Sequence, residues 1–147
     1  MSVSFVKVND FVANVANGKF NLGSDQLVVA LSNTAPGSET HNPTTDTYGA
    51  LANVTQVSYT NCSTRNITTT SSTQSSGTYK LILTSLVLTA SGAVGPFRYI
   101  YLYDSATASP SNALIGIYDY GSAVTLASGD TFTCSFDGTN GVLQLAY

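Results

Sequence analysis

Between Phe97 and Tyr103 the chain reads FRYIYLY, and this short run constrains the fold more than any other. Phe97, Tyr99, Tyr101 and Tyr103 share one parity of a two-residue period, while Arg98, Ile100 and Leu102 share the other. A strand alternates its side chains between two faces, so a run apolar on both parities must be covered on both sides. The segment Leu114–Tyr120 repeats the design, with Ile115, Ile117 and Asp119 on one face and Leu114, Tyr118 and Tyr120 on the other. Thr131–Phe136 alternates more cleanly. Phe132, Cys134 and Phe136 point one way and Thr131, Thr133 and Ser135 the other, the pattern of a half-buried antiparallel strand.

The remaining segments supply more strands and one helix. Asn9–Gly18 is the single helical stretch, with Asn9 or Asp10 able to cap its start and Gly18 able to end it. Phe11, Val12, Val15 and Ala16 form its apolar stripe, facing either the sheet or a neighbouring subunit. Gln26–Leu31 reads as a strand, and residues 32–48 as a long loop of the kind that is usually functional or mobile. Ala50–Thr60 and Asn66–Thr70 carry β-branched residues and can pair, while Ser71–Gly77 reads as a flexible turn. Tyr79–Thr84 and Leu86–Ala90 are strands, and Pro96 is expected to stop the ladder. Asp137–Gly141 is a turn and Val142–Tyr147 a last strand. Closely spaced strands without alternating helices predict one all-β domain over residues 1–147. The expected architecture is an antiparallel, jelly-roll-like β-sandwich, with an N-terminal arm and short helix over residues 1–22.

Composition narrows the function. Only 9% of residues are charged, against about a quarter in an average domain. Either an ordinary low-charge β-domain or a surface packed against copies or partners accounts for that scarcity. The five Lys and Arg residues are scattered, at Lys7, Lys19, Arg65, Lys80 and Arg98, so no basic stripe follows a nucleic-acid backbone. No apolar run approaches the length of a membrane span or a signal peptide core, which places synthesis in a cytoplasm. Cys62 and Cys134 are expected to be free thiols there.

Groups able to carry chemistry are few. His41 stands alone in a loop beside Glu39, and no CxxC or HxxxH spacing is present to hold a transition metal. Asp104 reads as a turn residue, and Asp119, between two tyrosines, is expected to pair with Arg98 or with backbone amides. Loop carboxylates such as Asp130 and Asp137 lack the spacing of an EF-hand. The sequence therefore nominates no catalytic, cofactor or metal residue, and an enzyme is the least favoured class.

Three blocks carry a resemblance: FVANVANGKFNLGSDQLVVALSNTAPG, GTYKLILTSLVLTASGAVGPFRYIYLYD and ALIGIYDYGSAVTLASGDTFTCSFDGTNGVLQLAY. Together they cover roughly residues 11–36 and 77–147, and they resemble a group of small tailed-bacteriophage virion proteins. GPFRYIYLYD and DYGSAVTLASGDTFT are the most specific parts; residues 37–76 lie outside the resemblance. It implies a virion structural protein of the capsid cement or decoration type, made in the host cytoplasm and bound on the capsid surface. The partners implied are the major capsid protein and further copies of the chain, a homotrimer suiting a junction of capsomers. Candidate contact residues are Phe11, Val12, Tyr99, Tyr101, Tyr103, Tyr118 and Tyr120. Two alternatives stay open: a tail-fibre or receptor-binding module that stacks tyrosines on a host glycan, and a tail or neck component.

Overall fold

The computed structural model describes residues 3, 5–46 and 49–146. Met1, Ser2 and Ser4 of the expected N-terminal arm, Thr47 and Tyr48 of the expected long loop, and Tyr147 of the expected last strand lie outside the described residues. The fold is mostly β, with antiparallel sheets and one short N-terminal helix. Ten strands are described: β1 (Phe5–Lys7), β2 (Leu27–Ser32), β3 (Asn66–Ile67), β4 (Thr69–Ser75), β5 (Thr78–Leu83), β6 (Leu86–Thr89), β7 (Val94–Ala108), β8 (Ser111–Leu126), β9 (Thr131–Cys134) and β10 (Leu143–Leu145). They make a five-stranded sheet in the order β1-β8-β7-β2-β3, a three-stranded sheet β10-β5-β4 and a pair β6-β9.

The long hairpin β7–β8 is the centre. Tyr99, Ile100, Tyr101, Leu102, Tyr103 and Asp104 are consecutive and all buried, so both faces of β7 are covered within one chain. Residues of all three sheets enter a single hydrophobic cluster: Leu81 and Leu83 of β5, Leu88 of β6, Cys134 of β9, and the apolar residues of β2, β7 and β8. The tyrosine parity expected to face another subunit thus lies inside the protomer. Tyr101 is fully buried and its hydroxyl has no protein partner.

Pro96 does not stop the ladder. β7 starts at Val94 and shifts register between Val94 and Phe97, so the proline, which has no N–H to donate, sits in an irregularity. Gly95 makes this possible: it takes φ +116°, and a Cβ there would stand 2.6 Å from the Val124 carbonyl oxygen. At this same end of the hairpin β8 runs well past Tyr120, to Leu126 opposite Val94.

Two polar stretches exchange roles. Residues 71–75, expected to be a turn, form most of β4, paired from Ser71↔Ile82 to Ser75↔Thr78, and the turn shrinks to Ser76-Gly77. The β-branched residues 54–60 form no strand. They lie along β2 and hold it at single points: Val57 N–H donates to the Leu31 carbonyl, and Leu31 N–H donates to the Tyr59 hydroxyl at 2.8 Å. The Arg65 guanidinium lies 3.7 Å from the Tyr59 ring centroid and donates to the Val29 carbonyl at 2.6 Å. A phenol and a guanidinium thus occupy backbone groups that a neighbouring strand would otherwise have paired.

Helix α1 (Asn9–Ala16) begins at Asn9 as expected, but Val8 rather than Asn9 or Asp10 takes the N-cap position, and there is no side-chain cap. Gly18 follows in the left-handed conformation, φ +68°. Phe11 is buried against Phe20, ring centroids 5.2 Å apart, while Val12 is exposed. The helix turns Phe11 and Asn14 inward rather than the whole apolar stripe.

Removing the Tyr101 hydroxyl removes a buried polar group that has no partner to lose. Tyr101→Phe is therefore expected to match the wild type or exceed it by about 1 kcal/mol in urea unfolding. A loss of about 1 kcal/mol or more would mean that the hydroxyl is satisfied.

Candidate functional site: an aromatic groove

Five of the seven candidate contact residues are on β7 and β8, and the structure divides them. Tyr99, Tyr101 and Tyr103 are at most 8% exposed, as is Phe11, so none of these four presents a surface to a partner. The cause is the cover on both faces of β7, which the chain supplies itself. Tyr118 and Tyr120 are half-buried and Val12 is exposed.

Tyr118 and Tyr120 line a groove of about 610 Å³, together with Val3, Phe5 and Ile100 on one wall and Phe132–Asp137, Gly141 and Val142 on the other. Its size is that of a ligand or side-chain binding site. Each ring has a local reason for its place. The ring of Phe5 lies over Gly116, where a Cβ would stand 2.0 Å from the ring edge. Only glycine at that position lets the ring settle on β8. Phe5 pairs with Tyr118 in register, ring centroids 5.0 Å apart, and Tyr118 approaches Phe136 at 6.2 Å. Across the groove, Phe132 makes edge contacts with Tyr120 at 5.3 Å and with buried Phe97 at 5.1 Å. Such tilted and edge-on contacts add to the area the rings bury. Phe132, Cys134 and Phe136 keep the common parity expected of them, with Cys134 buried and the two rings half-buried.

Three titratable groups here are shifted by their surroundings. Burial, followed by the neighbouring Cys62, pushes the Cys134 thiol up to about 12. Burial, then Cys134, raises Tyr118. At the end of the groove Asp137 is held below the ordinary carboxylate range by the Asn140 and Thr139 amides, each at 2.8 Å from its Oδ1. A neutral thiol, a neutral phenol and a capped carboxylate make a surface suited to binding.

The other expected sites are placed as follows. Asp119 accepts two bonds from Arg98, at 2.7 and 2.9 Å, and one from Gly121 N–H at 2.8 Å, which fulfils the expected pairing. Asp104 is fully buried instead of standing in an open turn. His41 Nδ1 lies 3.9 Å from Asp46. Cys62 and Cys134 are both free. Among the described residues no three His, Cys, Asp or Glu side chains come together as metal ligands. Phe5, Phe132 and Phe136 complete the groove and were not among the candidate residues. They come from opposite ends of the chain, and the parity of Thr131–Phe136 was the one available signal.

Two measurements check this geometry. Gly116→Ala forces the Phe5 ring off β8 and is expected to cost about 1–3 kcal/mol, with altered near-ultraviolet dichroism from the ring cluster. With its pKa pushed up by burial, the Cys134 thiol stays protonated at pH 8. Iodoacetamide should therefore label it only after unfolding, and rapid labelling of Cys134 in the native chain would contradict its burial. Compared with known proteins, the chain matches no family model, no curated protein and no solved structure, so the groove is interpreted on its own geometry.

Proposed function

We propose that this chain is a structural protein of a tailed-phage particle, of the capsid cement or decoration type, and that it acts by binding. The observation that carries the reading is the aromatic groove, whose rings are fixed and whose Cys134 thiol stays protonated. The sequence blocks that resemble small virion proteins supply the particle. GPFRYIYLYD forms most of β7, and DYGSAVTLASGDTFT runs from the groove rim of β8 into β9. The strands are read as a jelly-roll-like sandwich, in which the five-stranded sheet stacks on the remaining two.

In this reading Tyr118, Tyr120, Phe132 and Phe136 receive an apolar projection from the capsid protein. Tyrosine suits such a seam because it offers a rigid ring and a hydroxyl that tolerates water. Further copies of the chain belong around the same junction. The Phe97–Tyr103 tyrosines are spent inside the protomer, so a homotrimer has to be held by the groove rim and by exposed Val12. One observation favours a second reading, a receptor-binding module for a host glycan. The groove is open, and Thr133 and Ser135 stand among its rings, a combination that also suits stacking on a sugar with hydroxyl contacts.

Copy number in purified particles separates the readings: hundreds of copies are expected for a shell protein, a few dozen or fewer for a tail element. Particles lacking the chain should assemble but burst at lower temperature. The pair Tyr118→Ala and Tyr120→Ala should weaken binding to empty capsids about thirtyfold, as for the loss of about 2 kcal/mol at an aromatic contact. Unchanged particle stability with lost adsorption to host cells would favour the glycan reading.

A further inference from the structure

At the far end of β7 from the groove, one carboxyl group is enclosed with an acid for a neighbour. Asp104 is fully buried, opposite Leu27 of β2 on one side and Ala113 of β8 on the other. Its Oδ1 accepts the Ala106 N–H at 2.8 Å, and its Oδ2 has no protein donor. The ionisable group that faces it is Asp25, whose side chain lies within hydrogen-bonding reach. Leu27, Ala113 and Ala106, on the elements packed around it, bring no charge. Asp25 closes the turn Asn21–Asp25: its Oδ2 accepts the Asn21 N–H at 2.8 Å and its own N–H donates to the Asn21 carbonyl at 2.8 Å. The next residue, Gln26, is tied to the hairpin because its carbonyl accepts both the N–H and the hydroxyl of Ser105, at 3.0 and 2.8 Å.

Two carboxylates this close, one of them without access to water, do not both stay ionised. We infer that Asp104 keeps its carboxyl proton, held between it and the Asp25 side chain, and that this proton latches the Asn21–Gln26 turn onto the β7–β8 hairpin in acid and releases it as pH rises through neutrality. That proton gives Asp104 Oδ2 the partner it otherwise lacks. When it leaves to solvent, two negative charges face each other beside the Gln26–Ser105 contact. Burial and then Asp25 push Asp104 up to about 7, against about 4 for an aspartate in an unfolded chain. The folded chain thus binds a proton that the unfolded chain has released. The stabilisation is complete below pH ~4, declines as pH rises, and is gone once pH passes about 7.

The test is thermal unfolding of the full chain between pH 5 and 8.5, for wild type, Asp25→Asn and Asp104→Asn. Asparagine at 104 removes the titrating carboxyl, and asparagine at 25 supplies an amide that can donate to the Asp104 carboxylate and so lowers its titration. The wild-type Tm is expected to fall across this range relative to both variants. Amide exchange at Ser105, corrected for intrinsic rate, should rise about tenfold between pH 6 and 8.5 in wild type and stay level in the variants. Should Asp104→Asn fail to fold, Asp25→Asn alone decides. The inference is overturned if wild type and Asp25→Asn show the same pH profile. It is overturned equally if calcium raises the wild-type Tm at pH 8 but not that of Asp25→Asn, since the pair would then be a cation site.

Discussion

Everything in this fold answers to the burial of β7 on both faces. A strand that is apolar on one parity needs one sheet face covered. A strand apolar on both needs two covers, and a chain of 147 residues has to supply them while keeping its own edges soluble. β2 and β8 take the two edges of β7, and residues of β5, β6 and β9 join the common core. The polar residues on β7 meet the consequences. The Tyr101 hydroxyl is carried into the interior without a partner, and Asp104 is carried in with only one of its oxygens satisfied. Arg98, nearer the open end, escapes because it reaches Asp119 in a bidentate pair that stays partly in solvent.

That division marks how far the sequence was legible. The two-residue period of Phe97–Tyr103, Leu114–Tyr120 and Thr131–Phe136 located three strands, and the same period separated Cys134 from Thr133. A period states that both faces of a strand are apolar. It does not state whether the second cover comes from the same chain or from another copy. The cover here comes from within, so Tyr99, Tyr101 and Tyr103 are core residues. Strand β4 was illegible for the opposite reason: serines and threonines give no apolar alternation, and its pairing is imposed by β5. Residues 54–60 have the β-branched content of a strand, yet Tyr59 and Arg65 meet β2 with side chains, which no propensity scale registers. Pro96 misled because a glycine immediately before it absorbs the irregularity.

The groove was illegible as a site because it is assembled from the ends of the chain. Its position nevertheless follows from a mismatch in strand length. β1 has three residues and pairs only with Gly116–Tyr118, whereas β8 continues eight residues further, to Leu126. At the last paired position Tyr118 meets Phe136, and beyond it Tyr120 meets Phe132, across a gap. Gly116 sets the depth of one wall, since its missing side chain leaves the space that the Phe5 ring fills.

This arrangement separates two demands that conflict in small proteins. A binding surface needs apolar groups in reach of solvent, and such groups destabilise a fold or invite aggregation when they are mobile. Here the half-buried rings brace one another: Tyr118 packs on Phe5 and Phe136, and Phe132 on Tyr120 and on Phe97, which is itself fully buried. The groove is thus an extension of the core to the surface, with its rings already packed in the free chain. A group docking there would cost little further side-chain entropy, which favours affinity without a larger contact. The groove also leaves the acid pair at the opposite end of β7 free to set how tightly the turn before β2 is held, because the two regions share a strand but no side-chain contact among those described.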